Sequence, residues 1–461
     1  MKLLIRGAEA VLPGGRRRVN IRVSGETIAE IGPGLEPHPD DAVIDAEGLL
    51  ALPGLIDAHT HFQFDSGTMQ TRDDFEAGSA SAAAGGITTI MNFAPQKRGQ
   101  SLIEAADLER AKAEGHTLID FGLHLSLGTP GPNWEAELRQ AVDSGISSIK
   151  VYTTYRDTYY YTQQADWERL MERSGPAGML VQVHAEDDDI VREHTRGLLD
   201  RGLRSLAYHG EARPGAAETA AVRRGVDLVR LTSSPLYFVH LSSPGSLEVL
   251  AEARAEGLWV YGEACPHHFT LPADLYETED AARYIMTPPL RHRLDTLRLL
   301  RGVATGAVEV LGSDHCAYGL DQRGNLEDFT DCSPGIPGVE TLWPIVYSDL
   351  VATGLTPLED AVAMLSSHPA DIFGLPGKGR LVAGADADIV LYDPRPRKPL
   401  DEASLHSRAG YSPWHGRDIQ GKVMRTIARG ETVYQDGEIV GKRGRGRFLQ
   451  CKPHTTPPAA A

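Results

Sequence analysis

Asp57-Ala58-His59-Thr60-His61 offers two imidazoles two residues apart. On a β-strand that spacing puts both side chains on one face, as two ligands of one metal ion require. Seventeen histidines in 461 residues make a single His-x-His common by chance, so the pair gains meaning only from company. That company is Lys150 in Ser148-Ile149-Lys150-Val151-Tyr152, His184 in Val183-His184-Ala185-Glu186, His240 in Val239-His240-Leu241-Ser242 and Asp314 in Gly312-Ser313-Asp314-His315, each placed with a short apolar run. Four histidines and a carboxylate at the same end of apolar strands make a metal-binding donor set. Lys150 is the odd member, because an ammonium beside metal cations is repelled.

The elements that must carry these residues are legible between residues 53 and 375, where short apolar runs alternate with helical stretches, the pattern of repeated βα units. Candidate strands are Leu52 to Ala58, Ile87 to Phe93, Ile119 to Leu125, Ser148 to Tyr152, Met179 to Val183, Leu236 to Val239, Leu258 to Gly262 and Val308 to Leu311. From His61 to Lys150 there is room for three units, from Lys150 to His184 for one, from His184 to His240 for one long one, and from His240 to Asp314 for two. Eight such strands predict an α/β fold, the (β/α)8 TIM barrel, in which catalytic groups gather at the C-terminal strand ends. A doubly wound open sheet is the structural alternative, but no Gly-x-Gly-x-x-Gly turn follows the first strand.

Both chain ends read differently. Val19, Ile21 and Val23 alternate with polar residues before a Ser24-Gly25-Glu26 turn, and the same style returns in Asp388-Ile389-Val390-Leu391-Tyr392 and Thr432-Val433-Tyr434. This predicts one small β-sandwich built from residues 1–52 and 376–442 around a catalytic barrel of 53–375. Residues 443–461, basic and then rich in proline and alanine, read as an arm that wraps a neighbouring subunit and is partly disordered.

The formal net charge of −17 and a pI near 5.5 argue against a nucleic-acid partner, which needs a basic face. No stretch approaches the about 18 apolar residues of a membrane span. Arg6 interrupts the N-terminus before any long apolar region, and Cys265, Cys316, Cys332 and Cys451 show no Cys-x-x-Cys spacing. A cytoplasmic protein in a reducing compartment is the expectation.

The donor set resembles that of the cyclic amidohydrolases, the group of hydantoinases, dihydropyrimidinases, allantoinases and dihydroorotases. The likeness extends to Pro53-Gly54-Leu55-Ile56-Asp57, Asp73-Asp74-Phe75, Ala84-Gly85-Gly86-Ile87-Thr88-Thr89, Pro288-Pro289-Leu290-Arg291 and Gly384-Ala385-Asp386-Ala387-Asp388. It implies that Lys150 carries a CO2-derived carbamate bridging two divalent ions, zinc by default, with manganese, iron or cobalt also suited to the ligands. His59, His61, Lys150 and Asp314 would then hold one ion, and Lys150, His184 and His240 the other. The implied reaction is hydrolytic opening of a cyclic amide or ureide by a metal-bridging hydroxide, with Asp314 as proton shuttle and Tyr155 as donor to the oxyanion. Tyr155, Thr287 and Gln63 are the implied substrate contacts, and a homotetramer is the implied assembly.

The same resemblance ranks the substrates. Dihydroorotases carry an arginine where Gln63 stands, although Arg72 and Arg156 lie on nearby loops. Hydantoinases have an asparagine where Pro334 aligns, and proline has no N–H to offer a ring. Hydantoin or dihydropyrimidine leads, allantoin follows, dihydroorotate comes third, and a metal-free scaffold relative is the non-enzyme alternative. Tyr152, Tyr155, Tyr159, Tyr160 and Tyr161 suggest a loop facing an aromatic or apolar ring substituent. His124, His267 and His315 are not needed as ligands, and Cys265 and Cys316 read as small buried residues, not nucleophiles.

Overall fold

The computed structural model describes residues 2–67 and 69–454. Eight parallel strands pair in chain order: β1 (Leu55–Thr60), β2 (Ile87–Pro95), β3 (Asp120–Ser126), β4 (Ser148–Tyr152), β5 (Leu180–His184), β6 (Leu236–Phe238), β7 (Val260–Ala264) and β8 (Val310–Leu311). The seam between β8 and β1 is closed just beyond β8: the Ser313 amide donates to Asp57 Oδ1 at 3.1 Å, and the His61 amide to the His315 carbonyl at 2.8 Å. This is the expected (β/α)8 barrel, and every interior strand is buried because helices cover the outside.

Local chemistry sets the units. The helix Phe75–Ala84 starts where the Asp74 carboxylate accepts from the Ala77 amide at 2.8 Å, and the next, Leu102–Ala113, opens with a reciprocal Ser101–Glu104 capping box. Gly54 separates barrel from terminal sheet, since a Cβ there would collide with Thr88 and Asp388. The expected first strand is therefore two elements: Leu50–Pro53 belongs to the terminal sheet, and Leu55–Thr60 opens the barrel. The expected seventh strand also moves, from 258–262 to Val260–Ala264, because Gly257 ends the preceding helix in a left-handed turn and Leu258 and Trp259 lead into the strand.

Strands from both ends form one continuous nine-stranded sheet, with Leu50–Pro53 antiparallel to Ile389–Tyr392 at the join of its two halves. Its own apolar core includes Leu3, Ile5, Val19, Ile21, Val23 and Ile389. A buried charge cluster fastens this sheet to the barrel: Lys378 Nζ lies 2.7 Å from Asp120 on β3, 2.9 Å from Asp386 and 2.8 Å from Asp388. Arg429 adds a 2.9 Å contact to Asp120.

The tail, expected to be an arm, packs along its own chain over the residues described. Residues 443–454 run beneath their own barrel, where the Leu449 amide donates to the Phe121 carbonyl (2.8 Å), that of Cys451 to Gly145 (2.9 Å) and that of His454 to Gly178 (2.8 Å). The apolar side chains explain the path, for the Phe448 ring packs tilted against Phe121 and Cys451 is buried. The expected disordered end, 455–461, lies outside the described residues. All four cysteines are free, and no helix among the described residues is long and apolar enough to cross a membrane.

Candidate metal centre

Six residues from five strand ends converge at the C-terminal mouth of the barrel. His59 Nε2 and His61 Nε2 each lie 3.2 Å from Asp314 Oδ1, and Lys150 Nζ lies 3.0 Å from His59 Nε2. The rings of His184 and His240 are 4.5 Å apart, and those of His59 and His240 are 5.4 Å apart. One donor atom each from His59, His240 and Asp314 falls within 4.8 Å of the others. His59 and His61 reach the same face although β1 bulges against β2 between Asp57 and Thr60. His240 and Asp314 hold positive φ, 38° and 49°, a conformation that costs such residues about 1–3 kcal/mol and persists only where the surroundings fix it.

Carboxylates behind the ring orient two of the imidazoles. His59 Nδ1 lies 2.6 Å from Glu263 Oε1, and Glu263 also accepts from the Tyr237 hydroxyl (2.8 Å) and the His240 amide (3.0 Å). His184 Nε2 lies 2.7 Å from Glu186 Oε2. A ring N–H given to such a carboxylate leaves the other nitrogen's lone pair facing the cluster. Burial pushes His59, His61, His184 and His240 below the ordinary histidine value, which favours the neutral imidazole, the form that can take a metal ion. Burial opposes ionisation of Asp314, but His59, His61 and Lys150 overcome it and hold the carboxyl below its usual range. Burial also pushes the Lys150 ammonium down, against the pull of Asp314 and Glu263. Neutral imidazoles, a carboxylate and an oriented second layer fit divalent metal.

Above the cluster is a cavity of about 290 Å³, lined by His61, Lys150, His184, His240 and Asp314 and walled by Phe64, Tyr152, Tyr155, Tyr160, Met286, Thr287 and Tyr318. Tyr155 lines it from a left-handed turn (φ 69°), and Thr287 lines it too. Burial pushes the phenol up to about 12 despite Arg213 nearby, which keeps it a protonated donor. Gln63 is not among the lining residues: the turn after His61 (φ 51°) carries it off, with its amide donating to the Asp73 carbonyl at 2.8 Å. Arg72 pairs with Asp321, and Arg156 with Asp188 and Asp189, so neither lines the cavity. Tyr159 and Tyr161 stay off it as well; the Tyr159 hydroxyl donates to the Asp65 carbonyl at 3.2 Å.

Beside Pro334, the Ser333 amide is spent on the Arg323 carbonyl and that of Gly335 on the Ile285 carbonyl, each at 2.9 Å. That wall therefore presents no backbone N–H. His124 is bonded to Ser148 and Ala58, and His315 lies between Asp73 and the amides of Gly338 and Val339. Cys265, His267 and His268 form a second buried cluster away from the cavity. Sequence reasoning missed Glu263, Glu186 and Arg213. Glu263 carried the same signal as the ligands, a polar residue closing an apolar strand, whereas Arg213 carried none.

A model described as the amidohydrolase family matches residues 50–433. The chain belongs to that family. This amidohydrolase is 36% identical to a D-phenylhydantoinase of Escherichia coli O1:K1, over 99% of the chain and all of the relative. Its structure matches that of a dihydropyrimidinase from Brevibacillus agri NCHU1002 with a TM-score of 0.96 at 34% identity, covering 99% of this chain and 100% of the other. An L-hydantoinase (dihydropyrimidinase) from Arthrobacter aurescens matches at 0.89 and 26% identity, covering 97% and 99%. Amidohydrolase membership implies divalent metal, in keeping with the cluster of His59, His240 and Asp314.

Proposed function

We propose that this amidohydrolase opens the ring of a hydantoin or dihydropyrimidine, with two divalent ions, zinc by default, held by His59, His61, Lys150, His184, His240 and Asp314. The observation that carries the reading is a lysine only 1% exposed, set 3.0 Å from His59 Nε2 among neutral imidazoles. An ammonium there would repel the cations that these imidazoles and Asp314 would hold, whereas a carbamate on Nζ would supply the anion that a pair of cations needs. When bound, the ions acidify a water and polarise the scissile carbonyl.

The protein's own groups do the rest. Asp314 accepts the proton of the attacking water and returns it to the leaving ring nitrogen. The Tyr155 hydroxyl donates to the carbonyl oxygen as charge develops on it, and Thr287 lies beside it to grip the amide. Phe64, Tyr152, Tyr160 and Tyr318 offer aromatic faces to a ring substituent.

The same walls separate the alternatives. Among the described residues no arginine, and no lysine but Lys150, lines the cavity, so the carboxylate of dihydroorotate finds no cation. The polar side chain of allantoin meets mainly aromatic surface. A metal-free scaffold would have no use for the two carboxylates that orient His59 and His184. Exposed Leu294 (70%) and Leu297 (50%) on the helix Arg293–Ala304 support association of copies, a tetramer by family likeness, which light scattering will check.

The test is ring-opening of 5-phenylhydantoin, dihydrouracil, allantoin and dihydroorotate by one zinc-loaded preparation. Turnover led by the first two supports the reading. Turnover of allantoin or dihydroorotate alone moves the assignment to that branch.

A further inference from the structure

Arg213 lies between the short helix His209–Ala212 and the helix Gly215–Thr232, far in sequence from every metal ligand, yet it touches both halves of the reaction machinery. Its Nη2 is 2.6 Å from Glu186 Oε2, and its Nε is 3.1 and 3.2 Å from the two carboxylate oxygens, a forked charge-assisted contact. Glu186 Oε2 is the atom that meets His184 Nε2 at 2.7 Å. On its other side Arg213 Nη2 donates to Thr154 Oγ1 at 3.3 Å, and the guanidinium carbon sits 5.0 Å from the centre of the Tyr155 ring. Glu186 is fully buried and the arginine side chain is 13% exposed. Thr154 and Tyr155 form the turn after β4, and Tyr155 holds the positive φ that needs outside support.

We propose that Arg213 is a positioning residue which, by gripping Glu186 with one edge and the Thr154–Tyr155 turn with the other, fixes the relation between the His184 ligand and the Tyr155 hydroxyl. The catalytic meaning of that relation rests on the ring-opening function above. A lysine keeps the charge opposite Glu186 but has no planar fork to span both partners. Mere neutralisation of Glu186 would therefore be preserved in Arg213→Lys, and positioning would not.

The experiment compares wild type, Arg213→Lys, Arg213→Gln, Tyr155→Phe and the Arg213→Lys/Tyr155→Phe double variant. Arg213→Lys is expected to hold its metal as purified, to lose about 10- to 100-fold in kcat with little change in KM, and to release zinc to a chelator about 10-fold faster. Tyr155→Phe leaves zinc release unchanged, and the double variant is no slower in turnover than Tyr155→Phe within about 3-fold, the sign of action through one group. Wild-type kcat and zinc release in Arg213→Lys, or losses that multiply in the double variant, overturn the proposal. If Arg213→Gln fails to fold, the lysine variant still decides. If the wild type opens no ring, the functional reading falls, while an unchanged zinc-release rate in Arg213→Lys would separately overturn the positioning role.

Discussion

Glu263 decides which nitrogen of His59 faces the cluster, and that choice has a measurable consequence. Glu263→Gln can offer an N–H to the ring where the carboxylate accepted one, turning the lone pair away. Zinc affinity, read by competition with a chelator, should fall about 10- to 100-fold with the fold intact. Tyr155→Phe removes a protonated donor and leaves the ring packing in place. Its kcat should drop about 100- to 1,000-fold with KM nearly unchanged, and equal activity would remove Tyr155 from the oxyanion. The six residues that meet at the barrel mouth were legible because strand ends, apolar runs and donor types coincide. Gln63 was misleading because a left-handed turn, invisible in residue types, swings it off the cavity. Arg213 was invisible because its role comes from a loop that only the finished barrel brings back to β4.

At the scale of elements, the strands were readable wherever a β-branched run had polar ends. Boundaries failed where packing, not propensity, decides, as at Gly54 and at the start of β7. The motif residues around the mouth hold loops to one another: Asp73 accepts from the Ser407 hydroxyl and the Arg408 amide, each at 2.7 Å. Next to it, His406 Nδ1 lies 2.9 Å from Glu340 Oε1, and Glu340 also accepts from Ser81 at 3.0 Å on the first barrel helix. The Glu340 contact raises the His406 value above that of an ordinary histidine, against burial. A folded value above the unfolded one, about 6.5, means this contact stabilises fully below that pH and fades as pH rises through the folded value. His406→Asn should therefore cost more stability at pH 5.5 than at pH 9 in urea unfolding. An equal cost at both would contradict the ion pair.

The whole molecule depends on a sheet from both chain ends being held to the barrel that carries the chemistry. Lys378 is 5% exposed and pairs at once with Asp120, Asp386 and Asp388. Lys378→Met strands those carboxylates and should destabilise the protein by about 3–5 kcal/mol, seen as a lower midpoint in thermal unfolding. The β-rich ends were legible from their alternation, but their fusion through Leu50–Pro53 and the tail's path beneath the barrel depend on long-range pairing that residue patterns do not encode. At Lys150 one buried amine must become an anion for two ions to share the site. The most direct measurement is 13C NMR of the protein loaded with zinc in 13C-bicarbonate, with metal content determined on the same sample. A carbamate resonance with two zinc ions per chain, both lost in Lys150→Ala together with ring-opening, is the predicted result. A fully active protein with no carbamate signal, or Lys150→Ala retaining two ions and wild-type turnover, would contradict it.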